Sequence, residues 1–270
     1  MRTVVLDIVR ELGRGLEGTA LLVQDRSTRE YYVCKDLREF IVLGTQPLEV
    51  QIRKYCMPWN HRSLLNFYGW YFIGNDARRG CQIYYEYCAG GDLGNLIPRR
   101  RHPAEHPESL IWHVFIQLAE ALHAMHNLGP QHVVHRDVKP ENVFLTSPYR
   151  PYHNYPTLKL GDYGLATTRP VSRGAGTFYW KGPEVECSAK GDVWGLGAVI
   201  HALCHGSSPV STARRGWERD PRARRPRNLP SRYSNTLNHR MMSCLRRDPR
   251  DRPDSETLVR RLRRERPRVR

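Results

Sequence analysis

HVVHRDVKPENVFL, residues 132 to 145, sets one carboxylate, Asp137, between the cations Arg136 and Lys139, with the amide of Asn142 just beyond. A lone H-R-D triplet arises often by chance, so its meaning depends on what surrounds it. Upstream, ESLIWHVFIQLAEALHAMHNLG (108–129) carries apolar residues at helical spacing and ends at Gly129, which predicts a long buried helix. Before it, TALLVQD (19–25), REYYVCKDL (29–37), LLNFYGWYFIG (64–74) and CQIYYEYC (81–88) are short, β-branched or aromatic, and separated by turn residues. They predict strands, with a helix over PLEVQIRKYC (47–56). Downstream, GDVWGLGAVIHALCHG (191–206) and SNTLNHRMMSCLRRD (234–248) predict further helices. A small β-rich part therefore precedes a larger helical one, and composition changes near Cys88 to Gly91.

The 270 residues are 40% hydrophobic and 26% charged, close to the soluble globular average. That excludes a disordered tail protein, a collagen-like repeat and a small disulfide-stapled scaffold. No apolar run approaches the ~18 to 20 residues needed to cross a bilayer. The N-terminal MRTVVLDIVRELG holds Asp7 inside its apolar stretch and lacks a cleavage-site pattern, so no secretory signal is expected. Seven cysteines are odd in number, scattered and never spaced C-x-x-C, which fits a reducing, intracellular compartment. His201, Cys204 and His205 share helical spacing, but no fourth ligand lies nearby and the segment reads as ordinary buried helix.

The charge is less ordinary. Net charge is +16, and only six of the 43 basic residues are lysines. Arginines concentrate in RRGWERDPRARRPR (214–227) and RRLRRERPRVR (260–270). Such runs can grip phosphates or carboxylates, yet they carry no zinc-finger, homeodomain or RNA-recognition signature. Two readings stand for them: solvated faces, or a surface for an acidic partner.

Gly13-Arg14-Gly15-Leu16-Glu17-Gly18 is a G-x-G-x-x-G motif. A dinucleotide fold needs a helix directly after these glycines, whereas here the chain continues as the strand-like TALLVQD. A strand–glycine loop–strand flap over nucleotide phosphates is the other use of the motif. Lys35, on the next strand, then reads as a phosphate-pairing cation.

Taken together, these segments resemble a protein kinase along essentially the whole chain. HVVHRDVKPENVFL resembles the kinase catalytic loop. The resemblance implies that Asp137 accepts the proton of a substrate hydroxyl, Lys139 neutralises charge on the phosphoryl group, and Asn142 holds a magnesium ion. In KLGDYGLA (159–166), Asp162 matches the magnesium-chelating D-F-G aspartate, with Tyr163 in place of phenylalanine. GTFYWKGPEV (176–185) resembles the substrate-side loop ending in A-P-E. Asp192 matches the aspartate that braces the catalytic loop, and Arg252 the arginine that pairs with Glu184. The implied nucleotide pocket comprises Leu12, Gly13, Gly15, Gly18, Ala20, Val33, Lys35, Glu49, Glu86, Cys88, Phe144 and Asp162.

The implied fold is α+β and bilobal. It has a small β-rich N-lobe with one helix (1–88), a larger mainly helical C-lobe (89–259) and a basic tail (260–270). Lys139 two residues after Asp137 is the serine/threonine arrangement. EYCAGGDL (86–93), Phe144, Gly161 and SRYSNTLN (231–238) resemble the NIMA-related kinases. The resemblance thus implies ATP and Mg²⁺ as cofactors, protein substrates bearing serine or threonine, a cytoplasmic or nuclear location, and a role in cell-cycle control. Outside that reading stand a nucleotide-binding pseudokinase-like scaffold and a basic nucleic-acid-binding protein. Pseudokinases usually lose the equivalents of Lys35, Asp137 or Asp162, and none is lost here.

Three departures from the family pattern stand out. Ala20 and Val33 exchange the usual valine and alanine over adenine, a swap that conserves volume. Glu49 follows Lys35 at unusually short range, and Arg53 stands where the family places an apolar residue. The stretch between Glu184 and Asp192 is short. On the activation segment, Ser172 is the expected phosphosite facing Arg136, and Thr177 is expected to be structural.

Overall fold

The computed structural model describes residues 4–15, 18–37, 47–58, 60–75, 78–97, 106–150, 154–169, 176–184, 186–209 and 226–267. Ser172 and Arg173, most of the arginine-rich 214–227 run, Leu16 and Glu17 of the glycine loop, and the last three residues lie outside them.

Five antiparallel strands open the chain: β1 (Leu6–Gly15), β2 (Gly18–Asp25), β3 (Tyr31–Leu37), β4 (Phe67–Asn75) and β5 (Arg78–Glu86), in the order β1-β2-β3-β5-β4. The glycine motif closes the β1–β2 hairpin, where Gly15 pairs with Gly18. Gly18 has φ +150°, and a Cβ there would lie 2.3 Å from the carbonyl oxygen of Asp36. Only glycine fits that place. Directly opposed strand residues share a face. By that rule Ala20, Leu22, Val33, Lys35, Ile83 and Tyr85 lie on one side of the sheet. Val33, Ile83 and Tyr85 join the main core from that side.

Between β3 and β4 runs the helix expected over 47–56, but in altered form. Its α-helical part, α1, is only Leu48–Gln51, and Ile52–Cys56 continues as a π-helical turn. Isolated helices this short are not self-supporting in water, so packing must hold it.

The helical part is built around α2 (Glu108–His123). Leu110, Ile111, Val114, Phe115, Leu118 and Leu122 are all nearly or wholly buried, which makes α2 a central rather than an amphipathic surface helix. α3 (Ala189–His205) packs against it and ends at Gly206, whose φ of +75° supplies the left-handed cap. Ser234 caps α4 (Asn235–Cys244) through Leu237 N–H, and Asp254 caps α5 (Ser255–Glu265) through Thr257 N–H. A short hairpin, β6 (Val143–Leu145) with β7 (Leu158–Leu160), lies beside the catalytic-loop sequence. The α+β architecture with a sheet-rich lobe and a helical lobe is the one expected.

The C-terminal boundary differs from expectation. Residues 260–265 are not a detached basic tail, because α5 runs through them and packs on α2. Leu258, Val259 and Leu262 form its buried stripe. Arg263 reaches the buried Glu120 at 2.7 Å, and Arg62 meets the same carboxylate at 2.6 Å. The arginine-rich composition hid a short amphipathic helix.

Candidate active site

Lys35 Nζ stands 2.7 Å from Glu49 Oε2 and 3.0 Å from Asp162 Oδ1. The short spacing between Lys35 and Glu49 is therefore in register: the single turn of α1 suffices to bring Glu49 beneath the sheet. Burial would lower the Lys35 pKa, but the Glu49 and Asp162 charges outweigh it and raise it, so the ammonium persists. Asp162 is likewise opposed by burial and held below the usual carboxylate range by Lys35. Asp162 has φ +60°. Such backbone strain in a non-glycine residue clusters at functional sites.

The catalytic-loop residues converge from the C-lobe side. Asp137 is 7% exposed. Its Oδ1 accepts from Thr177 N–H at 2.7 Å, and its Oδ2 meets Lys139 Nζ at 2.7 Å. Burial alone would raise its pKa, but hydrogen bonds from Lys139 and Thr177 outweigh that and hold it low. Lys139 also donates to Thr177 Oγ1 at 2.8 Å, so Thr177 occupies the structural position expected of it. Asn142 donates Nδ2 to the Asp137 carbonyl at 2.9 Å and to Asp137 Oδ2 at 3.2 Å.

Asp192 holds this loop from beneath. Its two carboxylate oxygens accept from His135 N–H and Arg136 N–H, each at 2.8 Å. That contact stabilises the Arg136 backbone at φ +73°. Sequence reading missed its third partner, His126, whose Nε2 lies 3.0 Å from Asp192 and whose Nδ1 lies 3.1 Å from Ser255 Oγ. Nothing in the local sequence distinguishes His126 from its neighbour His123; only the fold turns one inward.

Behind the substrate-side loop, Arg252 pairs with Glu184 in the expected bidentate geometry, at 2.6 and 2.7 Å. The Arg252 fork also reaches the carbonyls of Lys190, Arg246 and Arg247 and lies over the Trp194 ring. The short stretch after Glu184 leads directly into α3, which starts at Ala189.

The remaining pocket candidates lie on β1, β2, β3, β5 and β6 or, for Cys88, just beyond β5. Gly13 and Gly15 lie on β1, and Leu12 sits at a register irregularity between Glu11 and Gly13. Ala20 opposes Lys35, while Val33 opposes Leu22 and Tyr85, so the exchanged pair are diagonal neighbours on one face. Phe144 stands on β6, and a Cβ on Gly161 would come within 3.0 Å of its ring. Cys88 is buried, which pushes its thiol up to about 12 and leaves it inert as a nucleophile. The Glu86 carboxylate turns away to Lys159, at 2.7 Å, and to Asn66.

The oxygen donors Asn142 and Asp162 suit a hard divalent cation such as Mg²⁺. Nδ2 of Asn142 faces Asp137, so Oδ1 is the atom through which Asn142 would meet such a cation.

The sequence profile described as the protein kinase domain matches residues 6–261. The chain is 28% identical over 291 residues to the G2-specific protein kinase nimA of Emericella nidulans, covering 94% of this chain and 40% of that protein. It is 27% identical over 264 residues to the probable serine/threonine-protein kinase nek2 of Dictyostelium discoideum, covering 94% and 61%. Serine/threonine-protein kinase Nek3 of Mus musculus is 30% identical over 268 residues, covering 93% and 48%. The chain thus spans less than two thirds of each of these relatives. With the profile spanning both lobes and the curated relatives of NIMA/Nek type, the chain belongs to the protein kinase domain family.

Proposed function

We propose that the chain is an ATP-dependent serine/threonine protein kinase of NIMA-related type. The observation that carries the proposal is Lys35 Nζ held between Glu49 and Asp162 at 2.7 and 3.0 Å. A buried ammonium whose charge is fixed by two carboxylates is a standing anchor for nucleotide phosphates. Gly13, Gly15 and Gly18 cover the phosphates from above, and Ala20, Val33, Cys88 and Phe144 enclose the adenine. In the transfer step the substrate hydroxyl oxygen bonds to the γ-phosphorus while the β–γ bridging P–O bond breaks and ADP departs. Asp137 takes the hydroxyl proton, and Lys139 offsets charge on the moving phosphoryl group. Asn142 and Asp162 would hold Mg²⁺, which when bound neutralises phosphate charge.

Substrates are proteins bearing serine or threonine. A part in cell-cycle control is supported by relatives such as the G2-specific protein kinase nimA, and a cytoplasmic or nuclear location is proposed with it. Among the described residues no helix is long and apolar enough to cross a membrane. The exposed arginines of α5 would serve an acidic partner.

The test is magnesium-dependent transfer of labelled phosphate to a generic acceptor protein, wild type against Asp137→Asn. Transfer by the wild type alone is expected. Equal inactivity of both, with ATP still bound, would replace the enzyme by a nucleotide-binding scaffold.

A further inference from the structure

The two oxygens of Glu49 have different partners. Oε2 faces Lys35, whereas Oε1 accepts a hydrogen bond from Tyr85 Oη at 2.8 Å. Tyr85 lies on β5 opposite Val33, and it is 4% exposed. Burial, and then the Glu49 charge, push its phenol well above the ordinary value, so it remains a donor.

One turn after Glu49 stands Arg53, buried at 1% exposure where an apolar residue is expected. Its Nη1 donates to the carbonyl of Pro58 at 3.0 Å, and its Nε lies 3.4 Å from the carbonyl of Leu65. Leu65 N–H in turn donates to Tyr163 Oη at 3.2 Å, and Tyr163 donates to the Leu160 carbonyl at 2.6 Å. A chain of hydrogen bonds therefore connects the helix carrying Glu49 to the Asp162-Tyr163-Gly164 turn. The helix has one α turn and one π turn and cannot set its own orientation. Dispersion contacts would bury that region without fixing direction, whereas hydrogen bonds fix it.

We propose that Tyr85 and Arg53 are positioning residues for the Lys35–Glu49 pair, bracing Glu49 from behind so that Lys35 is pre-aimed at the nucleotide phosphates. The proposal rests on the kinase reading above. Each acts through Glu49 or its helix. Tyr85 fixes the carboxylate itself, and Arg53 fixes the helix that carries it.

Tyr85→Phe keeps the ring and its burial and removes only the donor. Arg53 is left intact in the main test, since losing a buried guanidinium can unfold the chain. The readouts are Kd for ATP by displacement of a fluorescent nucleotide, and KM for ATP and for an acceptor peptide. Tyr85→Phe is expected to weaken ATP binding about ten-fold, the scale of one hydrogen bond to a charged group, and to leave KM for the peptide unchanged. In a Glu49→Gln background the same substitution is expected to add almost nothing, because the two act as a unit. A general packing defect would instead lower the melting temperature and act equally in both backgrounds. ATP affinity within two-fold of wild type, or an undiminished effect on top of Glu49→Gln, would overturn the proposal. A wild type that binds no ATP would overturn the kinase reading itself, and the brace with it.

Discussion

Lys35 sits at the junction of two lobes because two carboxylates from different elements need the same cation. Lys35→Met leaves Glu49 and Asp162 facing one another without it. It is expected to abolish most phosphoryl transfer, with the circular dichroism spectrum retained; unchanged turnover would show that the anchor lies elsewhere. Asp137 supports a pH prediction. Its pKa is held below the ordinary 3.8 in the folded state, so the carboxylate persists as pH falls and Asp137 contributes no acid limb to kcat above about pH 4. Lys139→Met removes a hydrogen bond that lowers that pKa while burial continues to raise it. The acid limb is therefore expected to move to higher pH in the variant, as read from kcat between pH 4 and 8. A limb that does not move would show that Asp137 is not the proton acceptor.

At the scale of elements, the ion pairs that matter join helices and loops far apart in sequence. Arg252 is wholly buried and Glu184 is 13% exposed, and removing the partner of a buried charge costs ~3 to 5 kcal/mol by stranding that charge. Glu184→Ala is expected to lower the melting temperature by about 10 °C for a chain of this size. A change within error would mean that the remaining carbonyl contacts suffice for Arg252. Glu120, shared by Arg62 and Arg263, ties α2 to α5. Burial would raise its pKa, and the two arginines outweigh that and lower it. Its stabilising contribution is therefore complete above its unfolded pKa near 4.5 and is lost as pH falls through the lower folded value. The expected signature is a melting temperature that drops less steeply between pH 5 and 3 in Glu120→Gln than in wild type.

For the molecule as a whole, the basic charge and the activation segment are the features proposed to regulate it. Arg260 and Arg261 are exposed on α5, whereas Leu262 is buried and Arg263 is engaged. Deleting 260–270 would therefore damage the fold. Arg260→Gln with Arg261→Gln is expected to weaken retention on an acidic polymer without changing the melting temperature, and equal retention would leave these arginines as a merely solvated face. Arg136, which donates to the Leu165 carbonyl at 3.1 Å, is the guanidinium proposed to pair with a phosphate carried on Ser172.

The candidate chemistry-bearing residues were legible in one dimension through the resemblance of their motifs, in which Lys35, Asp137, Asn142 and Asp162 keep the kinase order. The strands and the long helices were legible because their burial leaves a period in the apolar residues. What surrounds the site was not legible. Tyr85 and His126 look like ordinary strand and helix residues, and Arg53 and Glu86, though singled out by position, name no partners until folding decides which of their atoms are desolvated. The helix of 255–265 was hidden for the complementary reason: three buried residues among arginines form a stripe only once α2 offers a surface and Glu120 a counter-charge. The sequence by itself determined the two-part architecture and named the candidate reacting groups, since these follow from local composition and motif order. Only the tertiary structure decided which polar groups brace them, because a hydrogen bond in a dry interior depends on partners brought together from distant positions along the chain.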